Sequence, residues 1–354
     1  MIPPWARPLR IARHLRGAAA AHDAPLWRVG LRAARLRGGG WRLGEAASFG
    51  LLDPRADLAS FDWAVPATEM ERLQEALNPE EAARVAEDKR HLAAICARHG
   101  LPAIPQAAVL ERAPDAASTA PAWARALERD APDELVIKPA EGHRGLGLRA
   151  LTRVPGGAAD DRGRVVGWGP LARELAGEPW PGYLVQRRLR PHPDLGRMSG
   201  TAVVHTLRMV TLRPPEGPAR LIASRLRIPA GHLPVDSFRA GRSGNLVAEV
   251  RADGALALPF GPRPSGFGLE PVARHPRSGA PMEGFQVPCW QDACALALRA
   301  AGAFAPLRAL GLDIAPTADG PVVIEANAWW RWLPNPAGGA DPAFAALRAA
   351  AAGR

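Results

Sequence analysis

The sequence predicts an α+β, or mixed α/β, protein with a helical N-terminal region. Segments of strand character and segments of helix character follow one another without the strict alternation of βαβ units. The chain has 354 residues, of which 47% are hydrophobic and 23% charged, as expected of a globular protein with two or three lobes. No apolar run reaches the roughly 18 residues that a bilayer-spanning helix needs, so we expect no transmembrane segment.

Residues 1–78 are predicted to form a helical, basic region that glycines interrupt near residues 38–40. Charged residues break every apolar stretch of its first part, so we do not expect a cleaved signal peptide. The three cysteines, Cys96, Cys289 and Cys294, have neither metal-ligand spacing nor the even number of a disulfide framework. These features predict a cytoplasmic protein.

The net charge of the chain is strongly positive, at +10 with a pI near 10.9. Such a charge attracts phosphate groups of any kind, including those of nucleic acids and anionic lipids. Alanine and arginine are in excess along the whole chain, which we interpret as compositional bias and not as a local basic patch. We therefore expect no specific nucleic-acid partner. The alternative, a basic nucleic-acid binder, predicts a DNA affinity that falls steeply with salt.

The segment "NPEEAARVAEDKRHLAAICARHG", residues 78–100, has the pattern of one helix. Asn78 is a capping residue, Pro79 suits the first helical position, Glu81 is placed for a capping box, and Gly100 is typical of a helix end. Lys89 is therefore predicted to lie on a helix.

Four segments have strand character, from their β-branched content or their alternation of apolar and polar residues. They are "LVIKP" and residues 183–189, 202–212 and 220–228. Glycine and proline dominate residues 229–288 and predict long loops there. A helix near residues 290–305 and a hairpin over "LDIAPTADGPVVIEAN" complete the pattern.

The hairpin brings acidic residues together. Asp313 and Glu325 are equidistant from Asp319, so strands that pair around that residue place the two carboxylates about 5 Å apart at Cβ. Asn327 lies two residues beyond Glu325 and shares its face. A hard cation between the carboxylates would offset their repulsion, and such oxygen ligands suit Mg²⁺. The alternative is an exposed hairpin with incidental acidic residues.

Lysine is rare in this chain, since only Lys89 and Lys138 occur among 45 lysines and arginines. Lys138 ends a strand, and the loop after it contains Gly142, Gly145 and Gly147, whose backbone N–H groups can approach phosphates closely. A compact ammonium is not equivalent to a planar guanidinium. Taken separately, the loop is typical of an ordinary turn and Lys89 of a solvated helix residue. Together with the hairpin, they indicate a metal-dependent phosphate site.

The motifs also resemble a known superfamily. The order of "EDKRHLAAICARHGLPAIP", "LVIKPAEGHRGLG", "YLVQRRL", "TLRMVTL" and "GLDIAPTADGPVVIEAN" is similar to that of ATP-grasp proteins. More narrowly, "YLVQRRLRPHPDL", "HTLRMVTL", "VDSFRAGRSG" and "HPRSGAPMEGFQVPCW" resemble the sugar-transfer associated ATP-grasp group, which is related to α-L-glutamate ligase-like proteins. The resemblance covers residues 80–335.

This resemblance implies an ATP-grasp fold in which two α+β lobes clamp ATP. The N-terminal region would occupy residues 1–78, the first lobe with its glycine-loop lid residues 79–190, and the catalytic and metal-binding lobe residues 191–345. Residues that would bind ATP are Lys89, Lys138, Glu141, Gly142, Gly145, Gly147, Gln186, Arg187, Arg188 and Leu189. The metal, Mg²⁺ or alternatively Mn²⁺, would be held by Asp313, Glu325 and Asn327. Arg208 and Lys138 would be catalytic, and Arg227 and Asp236 would contact the second substrate.

Two segments depart from the family pattern. Arg187 follows Gln186 at a position where members commonly have an acidic residue. After Asn327 the chain reads "AWWRW" in place of a small residue and proline. The tryptophans in this segment, Trp329, Trp330 and Trp332, either stack on an acceptor or pack against the hairpin.

The resemblance implies an ATP- and Mg²⁺-dependent carboxylate–amine ligase that forms C–N bonds through an acyl phosphate. It would take ATP and a small-molecule carboxylate or a sugar-linked acceptor, in polysaccharide, cell-envelope or glycoconjugate biosynthesis. Two alternatives remain, a phosphotransferase acting on a sugar hydroxyl and a non-catalytic nucleotide-binding scaffold in a glycan-assembly complex. The acceptor, the amine and the oligomeric state are not determined by the sequence.

Overall fold

The fold consists of two antiparallel sheets with helices packed around them, in agreement with the predicted α+β class. The computed structural model describes residues 6–113, 115–142, 145–337 and 339–353. Within these ranges, no helix combines the length and the apolar content that crossing a bilayer would require.

The helices of the described residues include three at the N-terminus, as predicted for that region. In chain order the α-helices are α1 (Ala6–Ala21), α2 (Leu26–Gly38), α3 (Leu43–Phe49), α4 (Ala67–Leu77), α5 (Glu80–Glu87), α6 (Lys89–Arg98), α7 (Ala116–Asp130), α8 (Trp168–Gly177), α9 (Pro193–Ser199), α10 (Trp290–Ala303) and α11 (Pro342–Ala352). Short 3₁₀ turns occupy Leu58–Phe61 and Arg239–Gly241.

The strands form a smaller and a larger sheet. They are β1 (Gln106–Glu111), β2 (Glu134–Pro139), β3 (Arg149–Val154), β4 (Gly157–Asp160), β5 (Val165–Gly167), β6 (Gly182–Arg187), β7 (Thr206–Leu212), β8 (Arg220–Ile228), β9 (Leu246–Glu249), β10 (Phe260–Pro262), β11 (Leu269–Pro271), β12 (Ala309–Thr317) and β13 (Gly320–Asn327). The smaller sheet has the order β1-β6-β2-β3-β4-β5 and the larger sheet β11-β10-β9-β8-β7-β12-β13. The predicted loops of residues 229–288 thus carry three short strands.

Helices cover one face of the smaller sheet. Trp123 and Leu127 of α7 pack there with Leu171 of α8 and with Tyr183 of β6, whose ring centroid lies 5.6 Å from that of Trp123. Because side chains alternate along a strand, burying Leu135 and its neighbour two residues on against these helices directs Lys138 to the other face.

The larger sheet has apolar side chains on both of its faces. Leu207 and Met209 of β7 belong to a core that includes α10 and the helices α5 and α6. Val210 and Leu212 belong to a second core with α4 and α11. Helices α5 and α6 therefore pack against the larger sheet, although the sequence assigns them to the first lobe.

The single helix predicted over residues 78–100 is wrong, because the structure has two. Asp88 is extended, with φ −85° and ψ 107°, and its carboxylate accepts a hydrogen bond from the backbone N–H of Arg90 at 2.9 Å. This carboxylate caps α6 and places Lys89 at its first position. An aspartate can compete for backbone hydrogen bonds within a helical segment, and here this competition ends one helix and starts another.

Asn78 does not cap a helix as predicted. Its side-chain amide donates to the carbonyls of Ala309, at 2.8 Å, and Ala328, at 3.3 Å. Its oxygen accepts hydrogen bonds from the backbone N–H groups of Arg308 and Ala309, each at 3.0 Å. This buried amide ties the segment between α4 and α5 to the central hairpin.

The hairpin pairs Asp313 with Glu325, as predicted, but the turn is not centred on Asp319. Thr317 pairs with Gly320, so the connection has two residues. The register shifts by one residue between Asp313 and Ile314, and this bulge brings Glu325 opposite Asp313.

We predict that Asn78→Ala lowers the free energy of unfolding by roughly 2–4 kcal/mol, because buried backbone groups at Ala309, Ala328 and Arg308 lose their partner. Urea denaturation of both proteins measures this change. Glu80→Ala, at an exposed position of α5, is the matched control and should change stability by less than about 0.5 kcal/mol. Equal midpoints for the two variants would show that the Asn78 clamp does not stabilise the fold.

Candidate active site

A cleft with a volume of about 1860 Å³ lies between the two sheets. It is lined by Lys138 and Gln186 from the smaller sheet and by Arg208, Asp313 and Glu325 from the larger one. The structure also brings further predicted site residues to its walls, namely Glu141, Gly142, Gly145, Arg187, Arg188, Leu189, Arg227, Asp236 and Asn327. Segments far apart in the sequence therefore meet in one cleft.

One row of charged residues crosses the larger sheet. Arg208 on β7 pairs with Asp313 on β12, which pairs with Glu325 on β13, so all three side chains share one face. The Arg208 guanidinium donates to both carboxylate oxygens of Asp313, at 2.6 and 3.1 Å, and Arg227 Nη1 donates to Oδ2 at 3.0 Å. The Asp313 carboxylate is thus buried and held by two arginines.

The pKa of Asp313 is shifted by opposing effects. Burial raises it, while the charges of Arg208 and Arg227 and their hydrogen bonds lower it, and the net pKa lies below its ordinary value. Asp313 is therefore an ionised acceptor in the centre of the cleft. A carboxylate has room for more than two hydrogen-bond or metal contacts, so its pairing with the arginines leaves further lone pairs.

The two lysines converge on the other end of this row. Lys89 Nζ lies 3.7 Å from Glu325 Oε1 and donates to the carbonyl of Gly142 at 2.6 Å. Lys138 is buried in the opposite wall, and its pKa is lowered to about 8 by burial, opposed by Glu325 and assisted by the Lys89 charge. Burial without full charge compensation is typical of a site that receives an anion.

The first turn of α6 holds the start of the glycine loop. The backbone N–H of Lys89 donates to the carbonyl of Ala140 at 3.2 Å, and the Arg90 guanidinium donates to Glu141 at 2.8 Å. His143 and Arg144, which belong to the predicted loop of residues 141–147, lie outside the described residues. Lys89 itself does not line the cleft wall, and its ammonium contacts the loop at the carbonyl of Gly142.

Gly147 is not part of the cleft wall either. Its φ is +70°, and a Cβ at this position would lie 2.9 Å from Pro139 Cγ and 3.0 Å from the indole nitrogen of Trp180. Backbone conformation and packing therefore require glycine here. Close approach to a phosphate, the reason that the sequence suggested, is not needed to explain this residue.

All three side chains of the predicted metal site already have a partner, since Asp313 binds two arginines and Glu325 pairs with Lys89. Asn327 Nδ2 donates to the carbonyl of Gly311 at 3.1 Å, which leaves its oxygen as the free acceptor. Across the described ranges of the chain, no three His, Cys, Asp or Glu side chains gather around one point. Two carboxylates and an amide oxygen suit Mg²⁺ whose remaining ligands are waters or phosphate oxygens.

A second acidic residue is held beside Arg227. Asp236 accepts hydrogen bonds from the backbone N–H of Thr206, at 2.8 Å, and from its hydroxyl. Burial raises the pKa of Asp236 to about 6, although the Arg227 charge and the Thr206 hydrogen bonds lower it. The sequence pointed to Arg227 and Asp236 but not to Thr206, because this residue is recognisable only once its strand is paired.

The predicted hinge lies at the end of β6. Gln186 is buried and its backbone pairs with Val136 of β2, whereas Arg187 is exposed toward the cleft. Arg188 forms an ion pair with Asp161 at 2.7 Å. The unusual Arg187 is thus accommodated by solvent and does not disturb the core.

The tryptophans after the hairpin both line the cleft and pack into a core. Trp330 and Trp332 have ring centroids 5.7 Å apart and belong to the core with α4 and α11. A Cβ at Gly311 would lie 2.6 Å from the Trp330 ring, so glycine makes room for it. Glu87 accepts hydrogen bonds from the backbone N–H groups of Ala328 and Trp329, each at 2.9 Å. No sequence pattern indicates this role of Glu87.

The N-terminal region also reaches the cleft, although no catalytic signature was found in it. Arg10 and His14 of α1, Arg37 of α2 and Trp41 and Arg42 before α3 contribute to the wall. The excess of arginine over acidic residues in this region is the sequence signal that could have indicated a binding role.

The comparisons with known proteins agree with the motifs. The profile of the sugar-transfer associated ATP-grasp family matches residues 69–337. The chain belongs to this family. The predicted ATP-grasp membership and fold are therefore confirmed, and the matched residues contain both lysines and the hairpin. The N-terminal region that lines the cleft lies outside the match. A comparison with curated proteins finds no match.

Solved ATP-grasp structures are similar at low sequence identity. N5-carboxyaminoimidazole synthase from Aspergillus clavatus is 12% identical over 75% of this chain and 51% of its own, with a TM-score of 0.38. D-cycloserine synthetase DcsG is 18% identical over 82% and 81%, with a TM-score of 0.41. VanG D-Ala:D-Ser ligase from Enterococcus faecalis is 12% identical over 70% and 54%, with a TM-score of 0.40. This ATP-grasp chain spans about half the length of the first and third proteins.

We predict that an amine-reactive reagent such as cyanate modifies Lys138 with a midpoint near pH 8, because its lowered pKa leaves half of the amine neutral there. ATP with Mg²⁺ should protect it. Peptide mass spectrometry over a pH series measures the modification, and Lys138→Arg provides the control that assigns the peptide. A midpoint near that of an ordinary lysine, about 10.4, would contradict the buried placement of this amine.

Proposed function

We propose that the chain is an ATP- and Mg²⁺-dependent ligase of the carboxylate–amine type. The observation that carries the proposal is the convergence of the only two lysines of the sequence on the paired carboxylates. Lys138 lines the cleft together with Asp313 and Glu325, and Lys89 Nζ lies 3.7 Å from Glu325 Oε1. Lysine occurs nowhere else in the sequence, yet both lysines lie beside this acidic pair. A triphosphate would neutralise the lysines, and a divalent cation would neutralise the carboxylates.

The charges of the cleft support this assignment. Lys138, Arg208 and Arg227 line the cleft with three carboxylates, those of Asp236, Asp313 and Glu325. The pKa of Lys138 is lowered mainly by its burial. Triphosphate oxygens would add to the negative charge that Glu325 and Asp313 already place near the buried ammonium. Residues 186–189, at the end of β6, line the same cleft, and their backbone would contact the adenine.

The hairpin residues fit Mg²⁺, or Mn²⁺, by their chemistry. Asp313 and Glu325 supply two carboxylates opposite each other, and the Asn327 oxygen is left free by its hydrogen bond to Gly311. When bound, the metal would neutralise phosphate charge. Arg208 and Arg227 hold the Asp313 carboxylate at a fixed position. Its remaining lone pairs would therefore be preorganised to bind the metal.

The proposed reaction has two steps. A substrate carboxylate oxygen attacks the γ-phosphorus and the bond to the β-phosphate oxygen breaks, which gives an acyl phosphate and ADP. An amine then attacks the acyl carbon, phosphate leaves, and the amine loses a proton as the C–N bond forms. Lys138 and Arg208 stabilise the transferred phosphoryl charge, while positioning and electrostatics supply most of the catalysis.

Arg227 and Asp236 are the proposed contacts for the second substrate. They lie in the cleft on the side of Arg208 that is away from Glu325, since β8 flanks β7 opposite β12. The description of the family as sugar-transfer associated favours an acceptor linked to a sugar, in glycan or envelope biosynthesis. Dependence on ATP favours a cytoplasmic reaction.

We predict that ATP with Mg²⁺ raises the melting temperature of the wild-type protein, with a stabilisation of about 2.7 kcal/mol when the ligand is at a hundredfold excess over its Kd. Lys138→Met and Glu325→Gln should each abolish the shift, because they remove a phosphate contact and a metal ligand. Asp319→Asn, at the exposed turn of the same hairpin, is the matched control and should keep it. Retention of the shift in both site variants would disprove the nucleotide site.

We also predict that ADP release requires both a carboxylate substrate and an amine. A coupled ADP assay with a panel of each, alone and together, measures this dependence. A sugar-linked hydroxyl that supports ADP release without an amine would identify a phosphotransferase instead. ATP binding without turnover under any pair of substrates would indicate the nucleotide-binding scaffold.

A further inference from the structure

The positive charge of the chain is concentrated at its N-terminus. The first 50 residues hold nine arginines but only two acidic residues, Asp23 and Glu45, so they carry seven of the ten net positive charges. The remaining 304 residues carry a net charge of only +3. The net positive charge is therefore concentrated in this region, although arginine is frequent along the whole chain.

Part of this charge faces the cleft. Arg10 of α1 and Arg37 of α2 line it, and so does Arg42 at the start of α3. Arg242, from the loop after β8, reaches the same wall, since its Nη1 lies 3.8 Å from the position that a Cβ on Gly44 would take. We call Arg10, Arg37, Arg42 and Arg242 the arginine wall.

The arginine wall is poorly neutralised. Among the residues that the structure describes, Arg10 and Arg37 have no carboxylate within ion-pair distance. Arg42 forms an ion pair with Glu71 at 2.8 Å, but Glu71 is shared with Arg331 at 3.0 Å.

The other acidic residue of this part of the wall offers little compensation. Glu45 accepts a hydrogen bond from the backbone N–H of Ala67 at 3.2 Å, and burial raises its pKa. The arginines are thus gathered at one side of a concave surface with few negative partners, an arrangement typical of an anion-binding site.

The backbone beside Arg242 is held in an unfavourable conformation. Arg239 and Ala240 have φ values of +50° and +54°, in the left-handed region that non-glycine residues rarely adopt. Such positions persist where the surroundings hold them, and they cluster at ligand sites. Arg239 also lines the cleft, next to the arginine wall.

The arginine wall adjoins the proposed site of chemistry. Arg331 and Trp332, which follow Asn327 by a few residues, line the cleft between the hairpin and the N-terminal helices. The shared ion pairs of Glu71 connect Arg42 to Arg331 directly. A substrate that reacts near Asp313 can therefore extend along the cleft to the wall.

We propose that the arginine wall binds the anionic end of the acceptor, so that the acceptor is a polyanion with at least two carboxylates or phosphates. This inference rests on the proposed function, in which one carboxylate of the acceptor is activated at the ATP site. The further anionic groups bind the guanidinium forks, which match carboxylate and phosphate oxygens in a bidentate manner. The N-terminal region would thus select the acceptor.

The test uses the full chain with a non-hydrolysable ATP analogue and Mg²⁺. Isothermal titration calorimetry compares trigalacturonate with galactotriose, which has the same length and no charge, and includes inorganic tripolyphosphate as the phosphate probe. Each titration is repeated without nucleotide. We expect trigalacturonate or tripolyphosphate to bind and galactotriose not to bind. Tighter binding of trigalacturonate would indicate an acceptor with carboxylates, and tighter binding of tripolyphosphate an acceptor with phosphates.

Two double variants with equal charge change test the location. Arg10→Ala with Arg37→Ala removes two arginines of the wall, and the control Arg13→Ala with Arg28→Ala removes two exposed arginines from the same helices that do not line the cleft. We expect the first pair to weaken polyanion binding at least about tenfold and the control less than about twofold. In both double variants, ATP with Mg²⁺ should still raise the melting temperature.

Equal weakening by the two double variants would overturn the inference, because general charge would then explain binding. The inference would also be overturned if neither trigalacturonate nor tripolyphosphate bound. It would be overturned as well if a short DNA duplex bound with higher affinity and displaced the bound anion. Failure of the proposed function is distinct from these results. In that case ATP with Mg²⁺ would not raise the melting temperature of the wild-type protein, while polyanion binding without nucleotide would still depend on Arg10 and Arg37.

Discussion

The Asp313 carboxylate, buried between Arg208 and Arg227, is the contact on which the rest of the cleft depends. It joins three neighbouring strands of the larger sheet on one face. Removing one partner of a buried ion pair leaves an uncompensated charge, at a typical cost of about 3–5 kcal/mol. The same contact that stabilises the sheet also fixes a carboxylate that, with Glu325, faces the buried Lys138 in the cleft.

Both sheets use side-chain alternation to place a charged residue in the cleft. In the strands that line the cleft, side-chain alternation separates core residues on one face from site residues on the other. In β2 this alternation separates Ile137, in the core, from Lys138, in the cleft. In β7 it separates Met209 from Arg208. A short apolar strand can thus carry a single charged residue, provided that the opposite sheet supplies its partner.

The N-terminal region, which lies outside the matched family residues, forms part of the cleft wall. Its own core, which includes Val29 and Leu52, holds helices outside the matched family residues against the cleft. Its net positive charge is complementary to the acidic acceptor proposed above, which would give this region a role in substrate selection besides its structural role. The nucleotide site and the arginine wall then occupy different parts of one continuous cleft.

The sequence by itself determined the α+β class, the family and the residue types of the site. Local signals were sufficient for these, since the rarity of lysine, the hairpin spacing and strand alternation can be read along the chain. Tertiary structure decided the partners. The break at Asp88, the buried amide of Asn78 and the bulge that sets Glu325 opposite Asp313 all depend on contacts between distant segments. Whether an arginine faces a cleft or solvent is likewise set by helix packing, so neighbouring residues in sequence cannot reveal it.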